Sequence, residues 1–460
     1  MAVRGGPGVG LAAVLAVVLA LAFVEGAHGE ETVHFFSQKL NHFDNLDPRR
    51  FQQKFYVLDD YYVEQNPPSP IFLYINGESP CSGAPSNWVR EYAKQFGSLL
   101  ITLEHRYYGE SQPFNQSSTD NLQFLSSKQA IEDTANFVRT YNAGTVANSG
   151  WVSVGCSYAG ALSAWFRLKH PDLTVAALSS SGVVHSIFDF YEFDQDIAAA
   201  ISVDCADRLR AVTSQLETLL GAGEESNRMA KAEFDAAYMS DGDFYYMVAD
   251  AAATTVQYGY QDTVCGEYML QATDPDTYWI TFANFTKEFW YPTFNGGSAV
   301  SYSTEFQRIE DPENASRTWW FQKCSELAYF QTAPAEGSIR SQNVNVTWHL
   351  QHCEAVFGRK MIPQVYETNT YYGGANIAAT KVYFANSSQD PWKAASVTTS
   401  PDPENEPAHV IVCHDCGHCS DLRGCPSLPG LNDVEGCTDM TAVNDTRQAI
   451  MQDLEMWVFG

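Results

Sequence analysis

The sequence predicts an α/β protein: a parallel sheet with helices on both faces, interrupted by a mainly helical insertion. Two observations predict it. Short apolar runs of strand length alternate with helix-period segments up to about residue 184, and the rhythm returns near residue 381. Between them, residues 187–375 are rich in aromatics, Asp, Glu and Ala, with helix-like stretches.

Each element has its own signal. Ile71–Ile75 is an apolar run after Pro70 that ends at Asn76-Gly77, a turn pair. Leu99–Leu103 is a second strand of the same kind. Residues 128–141 carry Ile131, Ala135, Phe137 and Val138 at mostly helical spacing. Trp151–Val154 reads as a strand, Ala161–Lys169 as a helix stopped by Pro171, and Val175–Leu178 as a strand. Within the insertion, Asp204–Leu220 is helix-like. Strands return at Lys381–Ala385 and His409–Val412, and Met440–Val458 is the last helix. The expected division is a leader over 1–29, a first α/β part over 30–186, the insertion over 187–375 and a second α/β part over 376–460.

Composition narrows the class. The 460 residues favour two to four domains. Hydrophobic residues at 45% and charged residues at 18% exclude a collagen, a heptad rod and a disordered chain. No short repeat is present, which excludes a solenoid. The net charge of −28 repels phosphate backbones and anionic lipid, so no nucleic-acid partner is expected. A low pI suits solubility and equally an acidic compartment.

Arg4, the apolar run Leu11–Val24 and Ala27-His28-Gly29 have the pattern of a secretory signal peptide, with the mature chain starting near Glu30. No comparable apolar run follows, so no stable membrane anchor is expected. Sequons stand at Asn115, Asn284, Asn314, Asn345, Asn386 and Asn444. Eleven cysteines in an oxidising route imply disulfides, and the odd number leaves at least one thiol free or bonded to another chain.

The strongest chemical signal is Gly155-Cys156-Ser157-Tyr158-Ala159-Gly160, which has G-x-S-x-G spacing with Ala159 at the last glycine. A serine lifted above a sheet on a sharp strand-to-helix turn needs small neighbours, and the flanking strand and helix supply that context. A serine hydroxyl needs a base and an orienting acid. In such folds the order is Ser, acid, His. Asp390 follows the strand Lys381–Ala385, and His414 and His418 follow the strand His409–Val412. Acid and base thus fall in successive strand-end loops, where open α/β sheets build their sites. Gly417 favours His418 over His414, because a glycine there suits close backbone approach. Asp390 also reads as a plain turn aspartate before Pro391. Oxyanion donors are expected from the N–H of Tyr158 and from the Asn76-Gly77-Glu78-Ser79 loop.

Cys413-x-x-Cys416-x-x-Cys419 has zinc-like spacing. The leader favours disulfides instead, and a metal-bound His418 could not act as base. No metal or cofactor is expected. Cys156 reads as a small buried filler and as the candidate unpaired thiol.

These residues resemble the S28 serine peptidases, the family of lysosomal Pro-X carboxypeptidase, dipeptidyl peptidase II and thymus-specific serine protease. The resemblance covers nearly the whole mature chain. Gln38-Lys-Leu40-Asn-His42-Phe43 and Arg50-Phe51-Gln-Gln-Lys-Phe55 are similar to the family's Q-x-L-D-H-F segment and following strand. Asn76-Gly77-Glu78-Ser79-Pro80 resembles G-G-E-x-P, and Glu104-His105-Arg106-Tyr107-Tyr108-Gly109-Glu110-Ser111 resembles E-H-R-x-Y-G-x-S. The elbow resembles G-G-S-Y-x-G, with Cys156 for the second Gly. Asn386–Trp392 resembles N-G-x-x-D-P-W, and His418-Cys419-Ser420-Asp421-Leu422 resembles H-C-x-D-[LM]. Phe124–Ser127 and Tyr371–Gly374 are most similar to the thymus-specific branch.

The resemblance implies an α/β-hydrolase fold with an inserted helical cap, the SKS domain. It implies Ser157, Asp390 and His418 as a triad, peptide substrates, and exopeptidase cleavage after proline in a lysosomal or extracellular setting. It places Glu78, Trp319, Trp320 and Trp392 among substrate-binding candidates, and a homodimer is compatible with it. Trp320 stands where the dipeptidyl branch tends to carry an acid. Two other readings stay open. One is an S10-type serine carboxypeptidase, since Ser157-Tyr158-Ala159-Gly160 also resembles G-E-S-Y-A-G. The other is an inactive hydrolase fold acting as a binding protein.

Overall fold

The computed structural model describes residues 31–144, 149–400, 402–424 and 440–460. The expected leader over 1–29 lies outside the described residues, as do Cys425 and Cys437. No described helix is long and apolar enough to cross a membrane.

The chain opens with an antiparallel pair, β1 (Thr32–Lys39) and β2 (Arg50–Leu58). Then come β3 (Ile71–Ile75), α1 (Val89–Gln95), β4 (Leu99–Leu103), α2 (Ser127–Gly144), β5 (Trp151–Cys156), α3 (Tyr158–Lys169) and β6 (Ala176–Ser180). The strands β7 (Val382–Ser387) and β8 (Ala408–Ile411) complete one eight-stranded sheet in the order β1-β2-β4-β3-β5-β6-β7-β8. This is the α/β-hydrolase arrangement. Strands β3 to β8 run parallel, but β2 pairs antiparallel with both β1 and β4. The sheet is therefore mixed, which corrects the purely parallel expectation. β1 lies at the sheet edge and is exposed along most of its length, so it has no one-sided apolar alternation to read.

Alternate residues of the central strands face opposite layers. Ile71, Leu73, Ile101 and Leu103 join the core with Ile131, Ala135 and Val138 of α2 and Leu162 and Trp165 of α3. Phe72, Leu100, Val152, Val154 and Leu178 join a second core with Tyr92 of α1 and Phe96 just after it. The last helix, Met440–Phe459, adds Ile450, Leu454 and Trp457 to that layer. Each such fully buried side chain contributes about 1.5–3 kcal/mol of burial.

β6 and β7 are sheet neighbours, with Ala177 opposite Val382, so residues 181–381 leave the sheet and return to its next position. That excursion is mainly helical, with long helices at Val203–Gly221, Asp241–Gln257 and Val346–Phe357. Cys205–Cys265, Cys324–Cys353 and the buried Arg340–Asp194 pair, at 2.8 and 2.9 Å, tie it internally.

Cys156 is not the free thiol expected of it. It is bonded to Cys419, because the elbow and the loop after β8 meet over β6. Among the described residues the free cysteine is Cys81, buried, with its thiol pushed up to about 11 chiefly by burial. Cys413 and Cys416 are bonded to each other, so all three sulfurs of the zinc-like segment are in disulfides.

Candidate active site

The elbow is built by close approach. A Cβ on Gly155 would lie 2.0 Å from the Ala159 carbonyl oxygen, and one on Gly160 would lie 2.7 Å from that of Ser180. Only hydrogen fits at either position. Ser157 is thereby held at φ 63°, ψ −129°, a left-handed conformation costing a non-glycine residue about 1–3 kcal/mol. Its N–H donates to Ser180 O at 2.9 Å, and its carbonyl accepts the Ala161 N–H at 3.0 Å. The side chain sits at the N-terminus of α3, where the helix dipole is positive.

Asp390 follows β7 and caps the short helix Pro391–Ala395. Its Oδ1 accepts the Trp392 N–H at 3.0 Å, which leaves Oδ2 for His418 Nδ1 at 2.8 Å. Both side chains are buried. With Nδ1 donating to the carboxylate, Nε2 of a neutral imidazole is left as an acceptor. The His418 N–H donates to Gln257 O at 2.7 Å. Gly417 lies so close to that segment that an added Cβ would be 2.2 Å from Gln257 O. The glycine before His418 is thus needed for close approach. His414 is solvent-facing and pairs with Asp262 at 2.9 Å, well apart from Ser157 in its contacts.

Ser157 and His418 line one pocket of about 510 Å³, without a direct hydrogen bond between them among the described residues. Gly77, Glu78 and Tyr158 line it too, and Gly77 packs against Ala159, so the expected oxyanion loop lies beside the elbow. Trp319 and Trp392 are also in the wall. The Trp319 ring is 5.7 Å from Tyr158, and the Trp392 indole donates to Gln257 Oε1 at 2.9 Å. Trp320 is a correction. It is turned into the insertion, with its ring 4.2 Å from His352 and Lys323 Nζ 4.3 Å from its centroid, and it does not line the pocket. Neighbouring helix residues point about 100° apart, so Trp319 and Trp320 cannot share a face.

Sequence reasoning missed Tyr258, Tyr329 and Arg423, which line the same pocket. Tyr258 presents its ring edge-on to His418 at 6.1 Å. Arg423 had a signal available, standing directly after the segment His418–Leu422. Its Nη1 has no hydrogen-bond partner among the described residues. Tyr258 and Tyr329 had none, because the insertion brings them in from afar. Burial pushes the Glu78 carboxyl up, while nearby His418 and Arg423 pull it back.

The Glu104–Ser111 segment supports the site from behind. Glu104 accepts from Cys81 N at 2.9 Å, Ser111 N at 2.9 Å and Ser111 Oγ at 2.7 Å. Arg106 makes two 2.6 Å contacts to Asp133 and donates to Leu40 O and Phe124 O. His105 donates or accepts at Tyr158 OH, 3.2 Å away, and burial lowers its pKa to about 4. His42 and His170 pair with Asp133 and Glu132.

The sequons divide by exposure. Asn115 and Asn345 are exposed, and Asn284 and Asn444 are partly so. Asn314 and Asn386 are buried, and their amides donate to Phe306 O and Val397 O at 2.9 and 2.8 Å. Burial leaves no space for a glycan on either nitrogen in this fold, which corrects the expectation at both positions.

The family model for serine carboxypeptidase S28 matches residues 38–428. The probable serine protease EDA2 of Arabidopsis thaliana is 39% identical, covering 92% of this chain and 88% of its own. Human thymus-specific serine protease is 28% identical, covering 96% and 89%. Mouse lysosomal Pro-X carboxypeptidase is 26% identical, covering 85% and 84%. A match of this extent, on a hydrolase sheet whose elbow carries Ser157, makes the chain a serine peptidase that belongs to the serine carboxypeptidase S28 family.

Proposed function

We propose that this chain is a secretory-route exopeptidase that hydrolyses peptide bonds after proline. Ser157 is the nucleophile, His418 the general base, Asp390 its orienting acid, and the Tyr158 and Gly77 N–H groups the oxyanion donors. The observation that carries this reading is the common pocket of Ser157 and His418, with His418 Nδ1 2.8 Å from Asp390 Oδ2. His418 takes the serine proton as Ser157 attacks the carbonyl and returns it to the leaving amine; water then resolves the acyl-enzyme. Apo geometry without a formed serine–histidine bond is compatible with this, because such bonds tighten when substrate binds. The aromatic walls from Tyr258, Trp319, Tyr329 and Trp392 offer faces for a pyrrolidine ring. The secretory route rests on the leader pattern and on similarity to a relative named for the lysosome.

Membership of S28 displaces the S10-type alternative. Between the two exopeptidase directions, Arg423 favours the carboxyl end. A guanidinium in the pocket wall suits a free carboxylate. Glu78 offers the opposite charge to a free amine, which is the second direction.

The test is mass spectrometry of proline-containing peptides, each with free or blocked termini, after incubation with wild type and Ser157→Ala. Loss of one C-terminal residue that needs a free carboxylate is the expected result. Release of N-terminal dipeptides that needs a free amine would reverse the direction. Absence of both cleavage and fluorophosphonate labelling in folded wild type would leave the binding-protein reading.

A further inference from the structure

We propose that the Cys156–Cys419 disulfide is a positioning device for Ser157 and His418, and that a small dithiol entering the substrate pocket opens it and lowers turnover. This rests on the roles proposed above for those two residues.

The bond joins the residue before the nucleophile to the residue after the base. It spans 263 residues, so the whole insertion lies inside the loop it closes. Both sulfurs lie within 4.8 Å of a His418 ring nitrogen. Cys205–Cys265 and Cys324–Cys353 tie the insertion to itself, and Cys413–Cys416 closes a short turn. Among the described disulfides, Cys156–Cys419 alone connects the two halves of the site.

The backbone it holds is not one the chain adopts freely. Ser157 at φ 63° and Cys419 at φ 61° are both left-handed non-glycine residues. The Cys419 N–H donates to Ser181 Oγ at 2.9 Å and its carbonyl accepts the Leu422 and Arg423 N–H groups at 3.0 and 2.9 Å, while the disulfide is its tie to the elbow. The S28 pattern at the elbow has Gly where Cys156 stands, so the turn itself does not require a sulfur there. The sulfur adds registration between nucleophile and base. A catalytic pair held to about 0.5 Å loses about 100-fold when displaced by about 1 Å.

Access is from the substrate side. Cys156 lines the 510 Å³ pocket, whereas Cys419 is fully buried. A dithiol thiolate attacks Cys156 Sγ and expels the Cys419 thiolate. The second thiol of the reductant then attacks its own sulfur in the mixed disulfide and expels the Cys156 thiolate. Two electrons pass to the protein, the two reductant protons end on Cys156 and Cys419, and the reductant leaves as a cyclic disulfide.

The experiment treats the folded protein with dithiothreitol and maps opened disulfides by differential alkylation. It reads kcat and KM on a proline peptide and, independently of substrate, the rate of fluorophosphonate labelling. As Cys156 and Cys419 become alkylated, kcat and labelling should fall about 10- to 100-fold, with KM within about threefold, and reoxidation should restore both. The double variant Cys156→Ala/Cys419→Ala should match the reduced enzyme and ignore dithiothreitol. Cys205→Ala/Cys265→Ala should lower thermal stability and leave kcat alone. If the first double variant does not fold, the dithiothreitol series on wild type decides. Unchanged kcat with both cysteines alkylated overturns the proposal, and so does a pair that dithiothreitol leaves intact. Full activity in Ser157→Ala would instead overturn the nucleophile assignment, whatever the disulfide does.

Discussion

Asp390 divides its two oxygens between Trp392 N–H and His418 Nδ1, so one anchors the loop and the other orients the imidazole. Asp390→Asn should lower kcat by about 10³- to 10⁴-fold, because an amide at that position selects the wrong tautomer. The melting temperature should move little, and steady-state kinetics beside a thermal melt checks both. Asp421 lies three residues after His418 and is buried, with Oδ1 2.5 Å from Ser180 Oγ. Burial raises its pKa to about 6, against the pull of Ser180 and Arg447. The folded protein therefore binds more protons at this group than the unfolded chain between about pH 3.9 and 6, so its contribution to stability falls as pH rises through that window. Asp421→Asn should gain on wild type as pH rises from 4 to 7. Melts at pH 4, 5.5 and 7 would refute the burial account if the difference stayed constant.

At the scale of elements, the site depends on turns that bring backbones into contact. Gly417→Ala would push a Cβ to 2.2 Å from Gln257 O. It should cost about 1–3 kcal/mol and lower kcat as well, since His418 must move with its neighbour. Denaturant unfolding and kinetics on one preparation test the two effects together. Arg106→Ala should destabilise by about 3–5 kcal/mol, because the buried Asp133 loses its guanidinium partner beneath the β1–β2 connection and keeps the His42 ring, at 2.8 Å. The same measurement checks it, and a loss below 1 kcal/mol would show that the segment is not a structural latch. Strands buried on both faces, such as β3 and β4, were legible as near-continuous apolar runs. β1 was not, because an exposed edge strand carries no core-facing stripe. Helix α3 begins three residues before its expected start, since the small residues of the elbow already belong to it.

For the whole molecule, the net charge of −28 sets a self-repulsion that the fold must withstand. Raising salt from about 10 to 150 mM shortens the screening length from about 30 to 8 Å and should raise the melting temperature by a few degrees. A calorimetric series in sodium chloride measures it, and a flat or falling trend would show that local pairs outweigh the global field. The sequence alone determined the strand and helix rhythm on either side of the excursion, the elbow at Ser157, and the placing of Asp390 and His418 in successive strand-end loops. Those features are local: a strand, a tight turn and a helix leave their marks within a dozen residues. Tertiary structure decided that Cys156 is bonded to Cys419, that Trp319 faces the pocket while Trp320 does not, and that Tyr258, Tyr329 and Arg423 complete the wall. Those outcomes depend on how the excursion between β6 and β7 packs back over the sheet, and such long-range contacts have no period or spacing along the chain.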